Sequence, residues 1–222
     1  MRVFTKVGLI AALGLSSLSA ISGEISGVLI QADRLGNIAN ATSAAAIQDI
    51  GVAVGSGRIL NSQVHANDAK NHASSRTGSA SQSIGVAFDG GTLDRVQVHA
   101  NGALDSATAW SARANQNIGT ATNGRMTDVT VIANRAWNQA LQDGARITQN
   151  IGAAFNGGTL ERVQVHANGA LNVATSSGAR VDQNIGTATN GRMTEVTVIA
   201  NWAWNQALAE DARATQSVGV VR

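Results

Sequence analysis

Apolar and polar residues alternate in short segments along most of this chain. The clearest examples are Val96–Ala100, Val129–Val131 and Val196–Val198, where β-branched residues recur at every second position. A period of two places successive side chains on opposite faces of a strand. Turn dipeptides such as Gly90-Gly91 and Asn123-Gly124 precede these segments. The pattern therefore predicts short β-strands separated by tight turns.

The strand segments belong to a long internal repeat. The sequence of residues 85–151 is repeated, nearly unchanged, in residues 152–218. This double repeat of about 67 residues is divided by a recurring Ile/Val-Gly pair into units of about 33 to 34 residues. Such a fixed period indicates a repeat fold rather than one globular core.

Two polar residues accompany each Ile/Val-Gly pair. A glutamine lies two positions before the Ile or Val, at Gln48, Gln82, Gln116, Gln149, Gln183 and Gln216. An Ala-Asn step, once Ala-Asp, ends half a unit before the pair, at Asp33, Asn67, Asn101, Asn134, Asn168 and Asn201. If the units stack in register, these amides form columns that can hydrogen-bond along the stack.

The sequence predicts about three short strands in each unit, around Gln-x-Ile-Gly-x-Ala, Val-x-Val-x-Ala-Asn and Ala-x-x-Gln-Ala-Leu. Stacking them in register gives an all-β fold, a β-solenoid or cross-β stack of about five to six layers with equivalent residues about 4.8 Å apart. Residues 23–83 are divergent N-terminal repeats, and residues 84–222 are regular repeats of the same single solenoid domain.

Helical repeat families share this period, so a helical fold is the competing interpretation. Val129, Ile132 and Ala136 do fall at helical spacing. In the other type of unit, however, the equivalent segment carries Gly102 or Gly169 in its middle, where glycine costs a helix about 1 kcal/mol relative to alanine. Strands are therefore favoured, and an α-helical repeat binding protein is a minor alternative.

A column of charges supports the stack. Six positions before each Ala-Asn asparagine, successive units carry Asn61, Arg95, Asp128, Arg162 and Glu195. In a parallel stack these charges alternate in sign, and a slip by one unit would place like charges together. Exposed pairs contribute only about 0 to 1 kcal/mol each, so their main predicted effect is on the register.

Composition excludes several classes of protein. There is no cysteine, so disulfides cannot stabilise the chain, and there is no proline, the residue that most damages a hydrogen-bonded ladder. The net charge of +2 gives no support for a nucleic-acid partner.

Residues 1–22 have the layout of a signal peptide for the Sec pathway. A basic start, Met1–Lys6, is followed by the apolar segment Val7–Leu15 and then by small residues. No later segment is long and apolar enough to span a membrane. We therefore expect a secreted protein, located extracellularly or at the cell surface.

The sequence offers no catalytic or cofactor site. His65, His99 and His166 share one column, but with no cysteine and no carboxylate cluster they predict no metal site. A column repeated in every layer lacks the single asymmetric constellation that an enzyme needs. We expect neither an enzyme nor a cofactor.

The repeat sequence resembles the repeats of bacterial functional amyloid subunits. The segment Thr148–Gly152 and its copies resemble the Gln-x-Gly segments of curli repeats. The segment Val129–Asn134, followed by Asn138–Ala140, looks more like the longer repeats of the Fap fibre subunits. This resemblance implies secretion, assembly into cross-β fibrils, and a role in biofilm matrix or adhesion.

The sequence thus predicts a secreted structural subunit that assembles with itself into extracellular cross-β fibres. Its principal partner would be another copy of the chain, stacked end to end. A nucleator or minor subunit and an outer-membrane export pore are further candidate partners. The alternative is a monomeric surface β-solenoid that acts as a binding module or adhesin.

Overall fold

In the residues that the structure describes, the fold is a β-solenoid whose strands all pair in parallel. The computed structural model describes residues 17–21, 23–39, 45–73, 79–107, 113–140, 144, 146–175, 178–208 and 210–221. All regular elements in these ranges are strands, which confirms the all-β prediction and shows that the helical alternative is wrong there. None of the described residues forms a helix of the length and hydropathy that a membrane crossing requires. Most of the expected signal peptide, residues 1–16 and 22, lies outside the described residues.

The described strands are grouped into six coils, preceded by β1 (Ser17–Ile21). Coil 1 contains β2 (Glu24–Ser26), β3 (Leu29–Asp33), β4 (Gly36–Ala39) and β5 (Ala45–Val54). Coil 2 contains β6 (Arg58–Leu60), β7 (Gln63–Asn67), β8 (Lys70–Ala73) and β9 (Ser79–Phe88). Coil 3 contains β10 (Thr92–Asp94), β11 (Gln97–Asn101), β12 (Leu104–Ala107), β13 (Arg113–Ile118) and β14 (Ala121–Thr122).

The last three coils repeat this order. Coil 4 contains β15 (Arg125–Thr127), β16 (Thr130–Asn134), β17 (Trp137–Ala140), β18 (Arg146–Ile151) and β19 (Ala154–Phe155). Coil 5 contains β20 (Thr159–Glu161), β21 (Gln164–Asn168), β22 (Leu171–Ala174), β23 (Arg180–Ile185) and β24 (Ala188–Thr189). Coil 6 contains β25 (Arg192–Thr194), β26 (Thr197–Asn201), β27 (Trp204–Ala207) and β28 (Arg213–Val218).

Equivalent strands of successive coils pair side by side and form four sheets. Sheet 1 is β2-β6-β10-β15-β20-β25, sheet 2 runs from β3 to β26, and sheet 3 from β4 to β27, each with six strands. Sheet 4 holds β5, β9, β13 and their successors, with β1 added at its edge. The structure therefore adds the strand of sheet 1 to the about three strands expected in each unit. Sheet 1 was missed because its strands, such as β10, are only three residues long, too few to show an alternating pattern.

The corner between sheets 1 and 2 is made by residues in the left-handed conformation. These are the residues of the predicted charge column, with φ between 47° and 54°: Asn61, Arg95, Asp128, Arg162 and Glu195. The corner N–H of Arg95 donates to the Thr127 carbonyl, and that of Asp128 to the Glu161 carbonyl, both in the next coil. Left-handed backbone is costly for residues other than glycine, but here it allows the hydrogen-bond ladder to continue around the corner.

A one-residue difference in coil length is absorbed at the turn between sheets 4 and 1. Phe88 and Thr92 are separated by Asp89, Gly90 and Gly91, whereas Thr122 and Arg125 are separated by one residue fewer. The two turns nevertheless bring Phe88 beside Thr122 and Thr92 beside Arg125. The longer and the shorter type of unit can therefore alternate without disturbing the register elsewhere.

The core is a narrow column of aliphatic side chains. Along sheet 4, Ile84, Ile118, Ile151 and Ile185 are fully buried. In β11 of sheet 2, inward Val98 and Ala100 alternate with outward polar residues, and the equivalent Val131 and Val165 of the next coils are also fully buried. Each buried side chain lies against its equivalents above and below, so the hydrophobic stabilisation is distributed along the stack.

A glycine bend brings sheet 4 close to sheet 2. Gly119 has φ of 56° and lies after β13. A Cβ atom built there would overlap both methyl groups of Val131, which belong to the next coil. The bend thus requires glycine for two reasons, the left-handed backbone and the lack of space.

Gly119→Ala should lower the free energy of unfolding by about 2 to 5 kcal/mol, because it adds an overlap with Val131 to the cost of left-handed alanine. Gly55→Ala is a matched control, since Gly55 has φ of 62° with open space around its Cβ position. That control should cost only about 1 to 2 kcal/mol. Chemical denaturation measures both; equal losses would contradict the close approach of the two sheets.

Candidate functional site

The glutamine column forms a continuous ladder inside the stack. From coil 2 onward, each Nε2 donates to Oε1 of the glutamine in the preceding coil, at 2.6 to 2.9 Å. The same Nε2 donates to a backbone carbonyl of its own coil, for example Gln116 to Ala103 at 3.1 Å. Gln82, Gln116, Gln149 and Gln183 are fully buried. Because a buried amide without a partner is costly, this ladder holds successive coils in one register.

The asparagine column forms a second ladder at the end of sheet 2, nearer the surface. Each Nδ2 donates to the Oδ1 of the preceding coil at 2.7 to 3.0 Å, from Asn201 down to Asn67. The first member is Asp33, which accepts hydrogen bonds from Asn67 and Gln31. These two bonds, that from Asn67 first, lower the pKa of Asp33. The ladder therefore has a direction, with donors pointing toward coil 1 and a carboxylate at its start.

The charge column lies at the exposed corner between sheets 1 and 2. Arg162 donates to both carboxylate oxygens of Asp128, from Nε at 2.7 Å and from Nη2 at 3.1 Å, and also pairs with Glu161. The bond from Arg162 lowers the pKa of Asp128. Arg95 donates from Nε to Asn61 at 2.6 Å and pairs with Asp94. Glu195 occupies the same corner in coil 6 and is exposed.

Sheet 3 contains a further polar column that was not predicted from the sequence. It consists of Asn37, Asn71, Asp105, Asn138, Asn172 and Asn205, which are paired in register. Asn138 donates to the Thr148 carbonyl at 2.9 Å and Asn172 to the Asp182 carbonyl at 3.1 Å, so the column joins sheet 3 to sheet 4. The available signal was its constant position, four places after each Ala-Asn or Ala-Asp step.

Asp105 interrupts this buried column with a carboxyl group. The side chain is fully buried, and Oδ1 accepts a hydrogen bond from Asn71 Nδ2 at 3.0 Å. Its Oδ2 and the Oδ1 of the neighbouring Asn138 have no hydrogen-bond partner among the described residues. Burial raises the pKa of Asp105 well above its usual value, and the bond from Asn71 lowers it only in part. A protonated Asp105 would carry a donor suited to the vacant Asn138 oxygen.

The histidine column brings two rings together but not three. The rings of His65 and His99 lie with their centroids 4.7 Å apart and their planes tilted by 31°, whereas Ile132 separates His99 from His166. Desolvation, with the charge of His65 as a second cause, lowers the pKa of His99. No cluster of three or more potential metal ligands occurs in the part of the chain that the structure describes.

An arginine column lies on the outer face of sheet 4. Arg113, Arg146, Arg180 and Arg213 are paired in register and exposed. Strand spacing places neighbouring members about 4.8 Å apart at the backbone. This column presents a line of positive charge parallel to the stack axis.

The two ends of the stack differ from its interior. Among the described strands, β2, β3 and β4 in coil 1 and β25, β26 and β27 in coil 6 each pair on one side only. Apolar side chains lie open at both ends: Ile38 is 66% exposed in coil 1, and Trp202 is 85% exposed in coil 6. Unpaired strand edges with apolar surface are templates for adding another strand. The ends are therefore the surfaces of this molecule best suited to recognition.

Asp105→Asn should raise the free energy of unfolding at neutral pH by about 1 to 3 kcal/mol. The amide supplies an N–H donor for the unpaired Oδ1 of Asn138 and carries no charge into the core. The native pKa of Asp105 lies above the unfolded value of 3.8, so its contribution to stability is full below pH 3.8 and is lost as the pH rises through the native pKa. Denaturation across pH measures this effect.

The exposed Asp182 provides the matched control, and Asp182→Asn should change neither the stability at neutral pH nor its dependence on pH by a comparable amount. If Asp105→Asn is no more stable than the parent chain at neutral pH, Asp105 is not a buried, disfavoured charge.

Comparisons with protein-family models, curated proteins and solved structures gave no match to this chain. A function can therefore be inferred only from its own residues and geometry.

Proposed function

We propose that this chain is an exported structural subunit that assembles end to end into extracellular cross-β fibres, with a role in biofilm matrix or adhesion. The observation that carries this proposal is the pair of open ends, where strands of coils 1 and 6 pair on one side only among the described residues. Terminal repeats of solenoids that remain monomeric are normally capped by polar units. Here both terminal coils expose apolar side chains instead.

The interior of the stack supports the same function. A second copy could extend the parallel strands and the glutamine ladder without a new type of contact, because each coil already bonds to the next through identical groups. The expected signal peptide supports export, and the resemblance to Fap and curli repeats supports an extracellular fibre.

A monomeric surface binding module is the second candidate. The exposed line of Arg113, Arg146, Arg180 and Arg213 favours it, since a straight row of positive charges suits an extended anionic ligand. The oligomeric state separates the two functions.

The purified chain should form filaments on incubation, visible by electron microscopy, while it retains the circular dichroism of β-structure. Thr130→Pro should prevent filament formation, because it removes the inter-coil bond from Thr130 N to the Val96 carbonyl at 3.0 Å. Thr130→Ala keeps this N–H and should form filaments normally. A parent chain that stays folded and monomeric by light scattering would exclude the fibre subunit and leave the binding module.

A further inference from the structure

The strand edges of coil 1 and coil 6 could pair with those of a second copy in many registers, but the charged residues at the two ends favour one of these registers. In the first column of sheet 1, the successive residues are Glu24, Arg58, Thr92, Arg125, Thr159 and Arg192. Coil 1 thus carries the only acid of the column and coil 6 ends it with an arginine. Within the molecule, Glu24 already pairs with Arg58 at 3.5 Å. A copy added in the same register would place Glu24 between two arginines.

The other charged columns at the ends bring no like charges together in this register. Glu195 of coil 6 would lie beside Gly27 of the added copy, and Arg213 beside Ala45, by the same correspondence that aligns the inner coils. Arg34 would lie over Trp202, which is 85% exposed. A guanidinium over an indole is a favourable cation–π contact.

The hydrogen-bond ladders have a direction that matches the same junction. In the glutamine ladder each donor points toward coil 1, so Gln216 of coil 6 ends the ladder with its Oε1 directed away from Gln183. Gln48 of an added copy would continue this ladder by donating to Gln216. Stacking coil 1 against coil 1 or coil 6 against coil 6 would set donors against donors or acceptors against acceptors.

The edge of coil 1 in sheet 4 accepts a parallel strand. β1 pairs there with β5, with Ser19 beside Val52 and Ala20 beside Ala53. β1 lies within the residues expected to be cleaved as a signal peptide. After cleavage, β28 of a second copy could pair with the first half of β5, and the residues up to Val221 could take the place of β1 along its second half. Sheets 1 to 3 and every side-chain ladder lie within residues 24–221, so the solenoid is complete without β1.

We propose that coil 6 of one copy pairs in parallel with coil 1 of the next, in the register that places Arg192 opposite Glu24. This inference rests on the proposed function and specifies its junction. The junction continues all four sheets and the glutamine ladder. In the first column of sheet 1 it also continues the alternation of arginine with residues that carry no positive charge.

The asparagine ladder meets one obstacle at this junction. Asp33 would lie over Asn201, whose Oδ1 needs a donor, because Asn201 already donates its Nδ2 to Asn168. An ionised Asp33 has no donor to offer. Asp33 thus weakens the junction at neutral pH, and replacing it with asparagine would continue the ladder.

The test uses charge reversal in the chain that begins at residue 23. Arg192→Glu alone would set two carboxylates against each other across the junction, and Glu24→Arg alone would set two guanidinium groups against each other. Each single variant should need a protein concentration for assembly at least about tenfold higher than the parent, because like charges face each other. An equimolar mixture of the two variants should assemble near the parent threshold, since junctions between the two variants can join opposite charges.

Arg125→Glu is the matched control, because Arg125 lies in the same column within coil 4, between Thr92 and Thr159. It should leave the assembly threshold unchanged. Asp33→Asn should lower that threshold several-fold at neutral pH. Sedimentation measures all thresholds, and circular dichroism verifies the fold of each variant.

The results distinguish the junction from the function. A parent chain that forms no filaments contradicts the fibre function itself. If the parent forms filaments, two results would overturn this register while leaving the fibre function intact. One is that the folded single variants do not assemble when they are mixed, and the other is that each single variant assembles like the parent. An Asp33→Asn threshold at or above that of the parent would show that the asparagine ladder does not continue across the junction.

Discussion

A buried amide needs a hydrogen-bond partner, and in this chain the partner of each inner glutamine is the glutamine of the neighbouring coil. Gln116, for example, donates to Gln82 and accepts from Gln149, at separations of 34 and 33 residues. A coil that returned one residue too early or too late would leave these groups unpaired in the core. The length of the repeat is therefore fixed by side-chain chemistry, and the turns between sheets 4 and 1 absorb the small difference between the two types of unit.

The remaining features follow from this register. Apolar core residues pack against the equivalent residues of the neighbouring coils, as Ile118 does between Ile84 and Ile151. The core is therefore filled without bulky side chains. Left-handed corners such as Arg95 and Asp128 direct their N–H groups along the stack. The absence of proline agrees with a backbone in which nearly every donor serves a neighbouring coil.

Periodicity was sufficient to predict the stack, because the repeat, the alternation in segments such as Gln97–Asn101 and the amide columns are visible in the residues themselves. Sheet 1 was not predictable in the same way, since strands like Arg125–Thr127 are too short for a pattern and end at corners without glycine. The inner column of sheet 3 was missed for another reason. Asn138 and Asn172 look like surface amides, and only the closure of the coil shows that they point inward. Nothing local in the sequence marks Asp105 as a buried carboxyl group.

The ends of the molecule connect the fold with the proposed function. The backbone bonds and the glutamine bonds that hold one coil to the next recur along the stack. A terminal coil therefore presents the same backbone and glutamine groups as an interior coil, but without a partner on one side. The two ends differ in charge, because the first column of sheet 1 begins with Glu24 in coil 1 and ends with Arg192 in coil 6. A polymer made by these ends would have a single polarity and would be one continuous solenoid.

Diffraction from aligned filaments of the parent chain tests this account most directly. Six coils for each molecule predict an axial reflection near about 4.8 Å together with a subunit repeat of about 29 Å, six times the strand spacing. Filaments with the strand-spacing reflection but a repeat of a single strand spacing would mean that each molecule contributes one layer, which contradicts a stacked solenoid.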